Sequence, residues 1–278
     1  MPRIVDILPS FEEYARKTFV DSPMVRESRW KDLYESANPE IFEAFYAGQG
    51  DTVGKSAVVR ELTIVRDRVS EGGPVLHRVI EEVEPAVRDV LGLAPTPDPL
   101  HVLMVGPYSV NVLVGSMGDE VAVFHCLEWF QSEAGSRVLV AHEDAHAWHR
   151  IVLGAVPPES DAVWTTFSEG LATLVSRQVV ADRPEEDYFW FGHEGFEDWL
   201  PWCVEHRAEL VARFRDELDA EGTADTFFGS GLVEKRWRVG YYLADLVVGA
   251  MERTLPELVA LTVDEARDAV REALANLT

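Results

Sequence analysis

Residues 138–149 read Val-Leu-Val-Ala-His-Glu-Asp-Ala-His-Ala-Trp-His. The segment combines His-Glu-x-x-His with flanking apolar residues, a pattern that indicates a helix with one buried face. Residues four apart on a helix lie one turn apart on the same face, so His142 and His146 can both offer ring nitrogens to one metal ion. Glu143 follows the first histidine, where its carboxylate can take a proton from water that zinc has acidified. The alternative is a chance match on a solvated helix face.

A candidate third ligand lies 23 residues beyond His146, in the sequence Phe-Ser-Glu-Gly-Leu-Ala at 167–172. A catalytic zinc site has three protein ligands and one position left for water. A neighbouring antiparallel helix often supplies a carboxylate, and the loop at residues 154–158 is short enough to fold two helices together. Glu169 is therefore the predicted third ligand. The alternative is an exposed acid at a helix start, which the helix dipole favours.

The pairing of His142-Glu143-x-x-His146 with Trp164-x-x-x-Ser168-Glu169-Gly170-Leu171-Ala172 resembles the gluzincin superfamily of metallopeptidases. The resemblance is closest to the peptidase-MA-like and predicted zinc-dependent protease branches, and it covers residues 120–180 well. It implies a zincin-like fold with Zn²⁺ as cofactor. The implied site consists of three ligands and a general base: His142, His146 and Glu169 as ligands, and Glu143 as base.

A later segment resembles a further element of related families. Residues 238–245, Arg-Val-Gly-Tyr-Tyr-Leu-Ala-Asp, are similar to a G-x-Y-x-x-G helix, although Asp245 stands where a later glycine is expected. The resemblance implies a tyrosine that stabilises the oxyanion formed when water attacks a carbonyl. Tyr242 is the predicted residue and Tyr241 the alternative. An aromatic pair packed in a helical core is an equally good interpretation.

The segment ahead of the motif predicts a β-strand at residues 120–127. Gluzincins have an antiparallel edge strand there that pairs with extended substrate backbone, and residues 121–126 match its place. A buried core strand is an equally good interpretation. Residues 115–119, Gly-Ser-Met-Gly-Asp, predict a turn. They resemble the G-x-M-E-N element of gluzincin aminopeptidases only faintly, because they lack its Glu and Asn.

The whole chain predicts a mainly helical α+β fold, in which a small antiparallel sheet precedes the motif helix. Gly72-Gly73-Pro74 predicts a break between helices at residues 56–70 and 75–91. The proline-rich run at residues 94–99 predicts a joint between a helical N-terminal region, 1–93, and a zincin-like domain, 94–278, although one continuous domain is also compatible. The other predicted elements are strands at 101–106 and 110–114, helices at about 136–153 and 161–181, and further helices at about 197–218, 236–253 and 263–277.

The negative net charge of the chain disfavours two classes of binding partner. The 278 residues include 49 Asp and Glu against 25 Lys and Arg, a formal net charge of -24. Such a surface repels phosphate backbones and anionic lipids, so neither nucleic acid nor a membrane is an expected partner. Only two cysteines are present, Cys126 and Cys203, too few for a disulfide scaffold. With no signal peptide recognisable at the N-terminus, these features predict a cytoplasmic protein.

Together these patterns predict a zinc-dependent hydrolase, with an intracellular metallopeptidase acting on peptides or proteins as the first hypothesis. A second hypothesis is a binding or scaffold protein that keeps a zincin frame without turnover. A third is a metal hydrolase of a non-peptide amide. The presence of Glu143 favours hydrolysis, because a purely structural zinc site has no use for that carboxylate.

Overall fold

The computed structural model describes residues 1–49, 54–94, 98–156, 158 and 160–277. The chain is a mixed α+β protein, and 63% of it is helical, which confirms the mainly helical α+β prediction. It divides into two compact units, residues 1–85 with 95–147 and residues 86–94 with 148–278. The predicted joint at residues 94–99 lies partly outside the described residues, and the boundary after residue 93 stays a prediction. No helix among the described residues is both long and apolar enough to cross a membrane.

The first unit contains a four-stranded sheet. Its strands are β1 (Arg3–Asp6), β2 (Leu100–Met104), β3 (Val112–Met117) and β4 (Glu120–Cys126). They are arranged in the order β1-β2-β4-β3. Strands β1 and β2 are parallel, as are β2 and β4, and only the β3–β4 hairpin is antiparallel. The prediction of an antiparallel sheet is therefore wrong for two of the three pairings. Strands β1 and β2 join the sheet in parallel, and β1 lies in a region that was predicted to be helical.

Strand β4 lies inside this sheet and not at its edge. It pairs with β2 on one side and with β3 on the other, and most of its residues are buried. Of the two interpretations, the core strand is confirmed and the edge strand is wrong. The predicted turn at residues 115–119 is also shorter than expected, because β3 continues to Met117. Only Gly118 and Asp119 remain for the reversal, and Gly118 adopts a left-handed φ of +61°.

The helices of the first unit lie mostly ahead of β2. Pro74 was expected to end a helix, yet one 29-residue helix runs through it. The glycines there serve close packing: a Cβ on Gly72 would lie 2.6 Å from the Phe130 ring. The predicted break at residues 72–74 is therefore wrong. The helices are α1 (Leu8–Thr18), α2 (Pro23–Trp30), a π-helical turn (Lys31–Glu35), α3 (Pro39–Gln49), α4 (Lys55–Arg60) and α5 (Leu62–Val90).

Helices return after a 3₁₀ turn at Leu127–Trp129, and the two predicted helices around the motifs are confirmed. The elements are α6 (Glu133–Leu153), α7 (Ala162–Val179), α8 (Asp187–Trp190), α9 (Trp199–Glu205), α10 (Arg207–Glu217), α11 (Thr223–Phe228), the hairpin β5 (Leu232–Val233) and β6 (Arg236–Trp237), α12 (Val239–Gly249), α13 (Leu255–Val259) and α14 (Val263–Asn276). Helix α14 begins with a capping box between Thr262 and Glu265. Such reciprocal hydrogen bonds satisfy backbone donors that a helix start leaves open.

Candidate metal centre

Helix α6 brings the two motif histidines together. The Nε2 atoms of His142 and His146 are 3.2 Å apart, and their rings meet edge to face at 79°. Two nitrogens bound to one zinc ion at tetrahedral angles lie about 3.4 Å apart. His142 is buried and His146 is partly exposed, so the pair spans the edge between the helix's packed side and its accessible side. This placement agrees with the spacing argument from the sequence.

Glu169 completes a group of three possible ligands. One nitrogen of each histidine and one carboxylate oxygen of Glu169 all lie within 4.8 Å of one another. Glu169 is partly exposed and lies two turns inside α7, which begins at Ala162 with Asp161 as N-cap. The helix dipole acts mainly within the first turn. The alternative reading, an acid placed at a helix start, is therefore wrong.

The residues around Glu169 in the motif have packing roles. Trp164 is 4% exposed, and its ring stacks on His149 with centroids 5.2 Å apart. Gly170 faces helix α12, and a Cβ at this position would lie 2.4 Å from the carbonyl oxygen of Ala244. The glycine therefore permits a close approach of α7 and α12 within the second unit. The motif that contains the predicted ligand Glu169 therefore also contains residues, Trp164 and Gly170, that pack helix α7.

Gly170→Ala is expected to lower the free energy of unfolding by about 2 kcal/mol. The added methyl would overlap backbone as well as the Val248 side chain, and overpacking of this kind typically costs about 1–3 kcal/mol. Urea unfolding followed by circular dichroism measures the effect. Gly249→Ala is the matched control, because Gly249 is likewise a helical glycine, at the end of α12, and a Cβ there meets nothing within 4 Å. Equal stabilities of the two variants would contradict the packing role of Gly170.

Glu143 lies on the accessible stripe of α6. The partly exposed positions Leu139, Glu143, His146 and Arg150 follow one another at steps of three and four residues. Glu143 and His146 therefore share a face that solvent reaches. Burial raises the pKa of the neighbouring Asp144, and the negative charges of Glu84 and then Glu143 add to that rise. A carboxylate next to the ligands and open to solvent is what proton transfer at this site requires.

The two tyrosines of α12 differ in environment. Tyr242 is 6% exposed, and burial raises the pKa of its hydroxyl above the usual value, with Arg207 acting against that rise. Tyr241 is partly exposed and packs under the Arg238 guanidinium, which lies 4.0 Å from the centre of its ring. The oxyanion role of Tyr242, and of Tyr241 as its alternative, stays a prediction.

Sequence reasoning missed a second polar group, formed by His101, His125 and Asp144. The first two carry no motif, and Asp144 falls on a variable position of His-Glu-x-x-His. All three are at most 1% exposed. A usable signal was present, because His101 interrupts an otherwise apolar strand and His125 interrupts the apolar run at residues 121–126, where a buried polar side chain needs a reason.

Comparison of the chain with protein-family models, with curated proteins and with solved structures finds no match. The likeness to gluzincins therefore rests on the two motifs and on the group of side chains that they bring together.

Proposed function

We propose that the protein is a zinc-dependent hydrolase of the gluzincin type and that it cleaves peptide bonds. The observation that carries the proposal is the convergence of His142, His146 and Glu169, whose ligand atoms lie within 4.8 Å of one another. Two successive helices, α6 and α7, supply these side chains. A chance His-Glu-x-x-His on a solvated helix would not require a carboxylate at that place.

The donor set fits zinc. Two imidazole nitrogens and one carboxylate oxygen are the ligands of several catalytic zinc sites, which leave the fourth position for water or substrate. His142 would be held firmly by its burial, while His146 and Glu169 lie where solvent reaches them. When bound, zinc would supply a Lewis acid that polarises a carbonyl and makes water more acidic.

The chain's own residues then divide the remaining work. Glu143 accepts a proton from the attacking water on a carboxylate oxygen and later donates it to the leaving amine. Tyr242 donates a hydrogen bond to the oxyanion that develops on the carbonyl. The position of Glu143 on the accessible face of α6 favours hydrolysis over a scaffold role. A peptide is the proposed substrate, and a non-peptide amide is the alternative that the same residues would serve.

The first test is the metal content of the purified protein by elemental analysis. We expect about one zinc per wild-type chain and less than a tenth of that in His146→Ala and Glu169→Ala, because each change removes one of three ligands. His77→Ala is the matched control: His77 also lies 3.1 Å from a carboxylate, that of Asp6, but it is outside the group. It should keep the wild-type metal content.

Two results would count against the proposal. A wild type that stays metal-free after incubation with zinc and dialysis would remove the hydrolase function. Zinc that remains bound in both His146→Ala and Glu169→Ala would mean that it binds elsewhere on the chain.

A further inference from the structure

A buried pair of histidines links two strands of the sheet in the first unit. His101 on β2 pairs with Val123 of β4, and His125 lies two residues further along β4, so both side chains project from the same face. Nδ1 of His101 and Nε2 of His125 are 3.1 Å apart, within hydrogen-bond distance. Both rings are neutral, because burial lowers the pKa of each histidine.

Helix α6 adds the third member of this group. Asp144 is fully buried, and its Oδ1 lies 3.7 Å from Nε2 of His101. Asp144 is two residues from both His142 and His146, which on a helix is about 200° away from each. The aspartate therefore points toward the sheet from the side of α6 opposite to the metal ligands.

Burying Asp144 against His101 costs stability, which indicates that the contact has a role other than filling space. Within the described residues, neither oxygen of Asp144 has a hydrogen-bond partner, and the same holds for His101 Nε2. A buried polar group without a partner destabilises a fold by about 1–3 kcal/mol. Apolar side chains would serve better if this position only had to be filled, and the neighbouring contacts of α6 with β3 and β4, through Leu139, Val123 and Ala147, are indeed apolar.

Such a contact provides directional placement. His101 Nε2 lies 3.7 Å from the Asp144 carboxylate, and the charge of the buried Glu84 also acts on Asp144. Rotation of α6 would turn the carboxylate away from these polar groups and against apolar side chains, at further cost. A rotation of ~20° moves an atom at the helix surface by ~2 Å. Metal ligands have to keep their distances within about 0.2 Å. The orientation of α6 about its axis thus matters far more to a metal site than to the core.

We propose that His101 and His125 are positioning residues that act through Asp144 to fix the rotation of α6 and hold His142 and His146 toward the metal. The proposal rests on the proposed function, since it concerns the same ligands. It assigns a role to a residue inside the His-Glu-x-x-His motif that does not touch the metal. The three residues form one unit, in which His125 orients His101 and His101 orients Asp144.

The test is zinc affinity, measured by competition with a fluorescent chelator, in variants that keep or remove the contact. We expect Asp144→Ala and His101→Leu to bind zinc about tenfold more weakly than wild type, the lower end of effects seen for residues behind metal ligands. Asp144→Asn keeps a carbonyl oxygen toward His101 and should stay within about threefold of wild type. Neither Asn nor Ala carries a charge at position 144. Tighter zinc binding by Asp144→Asn than by Asp144→Ala would therefore show that the oxygen's position matters and not the charge.

Val102→Ala is the matched control for packing. Val102 is fully buried next to His101 on β2, and its side chain projects from the opposite face of the sheet, so the change destabilises the protein without touching the polar contact. It should leave zinc affinity unchanged even where it lowers the free energy of unfolding as much as Asp144→Ala does. If His101→Leu fails to fold, the Asp144→Ala and Asp144→Asn pair gives the answer.

The outcomes separate the two proposals. If wild type binds zinc and Asp144→Ala binds it as tightly, or if Val102→Ala weakens binding as much, the positioning role is overturned and the proposed function stands. If wild type binds no zinc, the proposed function fails and the positioning role fails with it.

Discussion

Glu143→Gln is expected to lower the rate of peptide hydrolysis by about 10²–10⁴-fold while zinc remains bound. Glutamine has the same shape as glutamate but cannot accept a proton at neutral pH, so it removes general-base catalysis and leaves the metal ligands in place. Because Glu143 is partly exposed on the face of α6 that carries His146, the substitution should disturb packing little. Turnover of a mixed peptide library, followed by mass spectrometry, measures the rate, and elemental analysis measures zinc.

Glu133→Gln is the control for this experiment. Glu133 is in the first turn of the same helix, and its carboxylate forms a surface ion pair 2.6 Å from Arg78. It should retain wild-type activity. Unchanged turnover in Glu143→Gln would contradict the proposed role of Glu143, whereas loss of both zinc and activity would show that the residue holds the metal in place.

The second large effect is acid destabilisation caused by the two buried histidines. Burial lowers the pKa of His101 from 6.5 to about 3, and the pKa of His125 is also well below its usual value. Unfolding exposes both rings, which then take up protons below about pH 6.5. We therefore expect the two histidines to make their full contribution to the free energy of unfolding above pH 6.5. That contribution should be lost as the pH decreases toward 3. For His101 alone the loss is at most about 5 kcal/mol.

Urea unfolding at half-unit steps from pH 7.5 to pH 4 checks this prediction, with wild type compared with the double variant His101→Gln/His125→Gln. The variant should show a flatter dependence on pH. The comparison is necessary because Glu128 and Asp144 act in the opposite direction. Burial raises the pKa of the Glu128 carboxyl to about 7 and also raises the pKa of Asp144, so their contributions to stability fall as the pH rises. Val102→Ala, a buried change on the same strand, should keep the wild-type slope. Parallel curves for wild type and the double variant would contradict the prediction.

Elements with a local pattern were the ones that sequence reasoning placed well. Helices α6 and α7 and strand β4 follow from periodicity and from the residues that bound them. The break expected at Gly72-Gly73-Pro74 was wrong: the helix continues through Pro74, and Gly72 and Gly73 lie against the distant Phe130 and Leu8, which no local rule anticipates. Strand β1 was missed because four residues carry little pattern. It is stabilised by pairing with β2, nearly a hundred residues later in the chain.

The sequence by itself determined that His142 and His146 share a helix face, since a four-residue spacing on a helix decides this from local geometry. It also pointed to Glu169 as a third ligand, through the need of a zinc site for one and through a resemblance. Only the tertiary structure decided that its carboxylate lies within 4.8 Å of the histidine nitrogens. The same holds for Asp144, whose burial against His101 depends on which strands pair and which side of α6 meets them. Spacing fixes contacts within a helix, whereas contacts between elements depend on packing that the whole chain sets together.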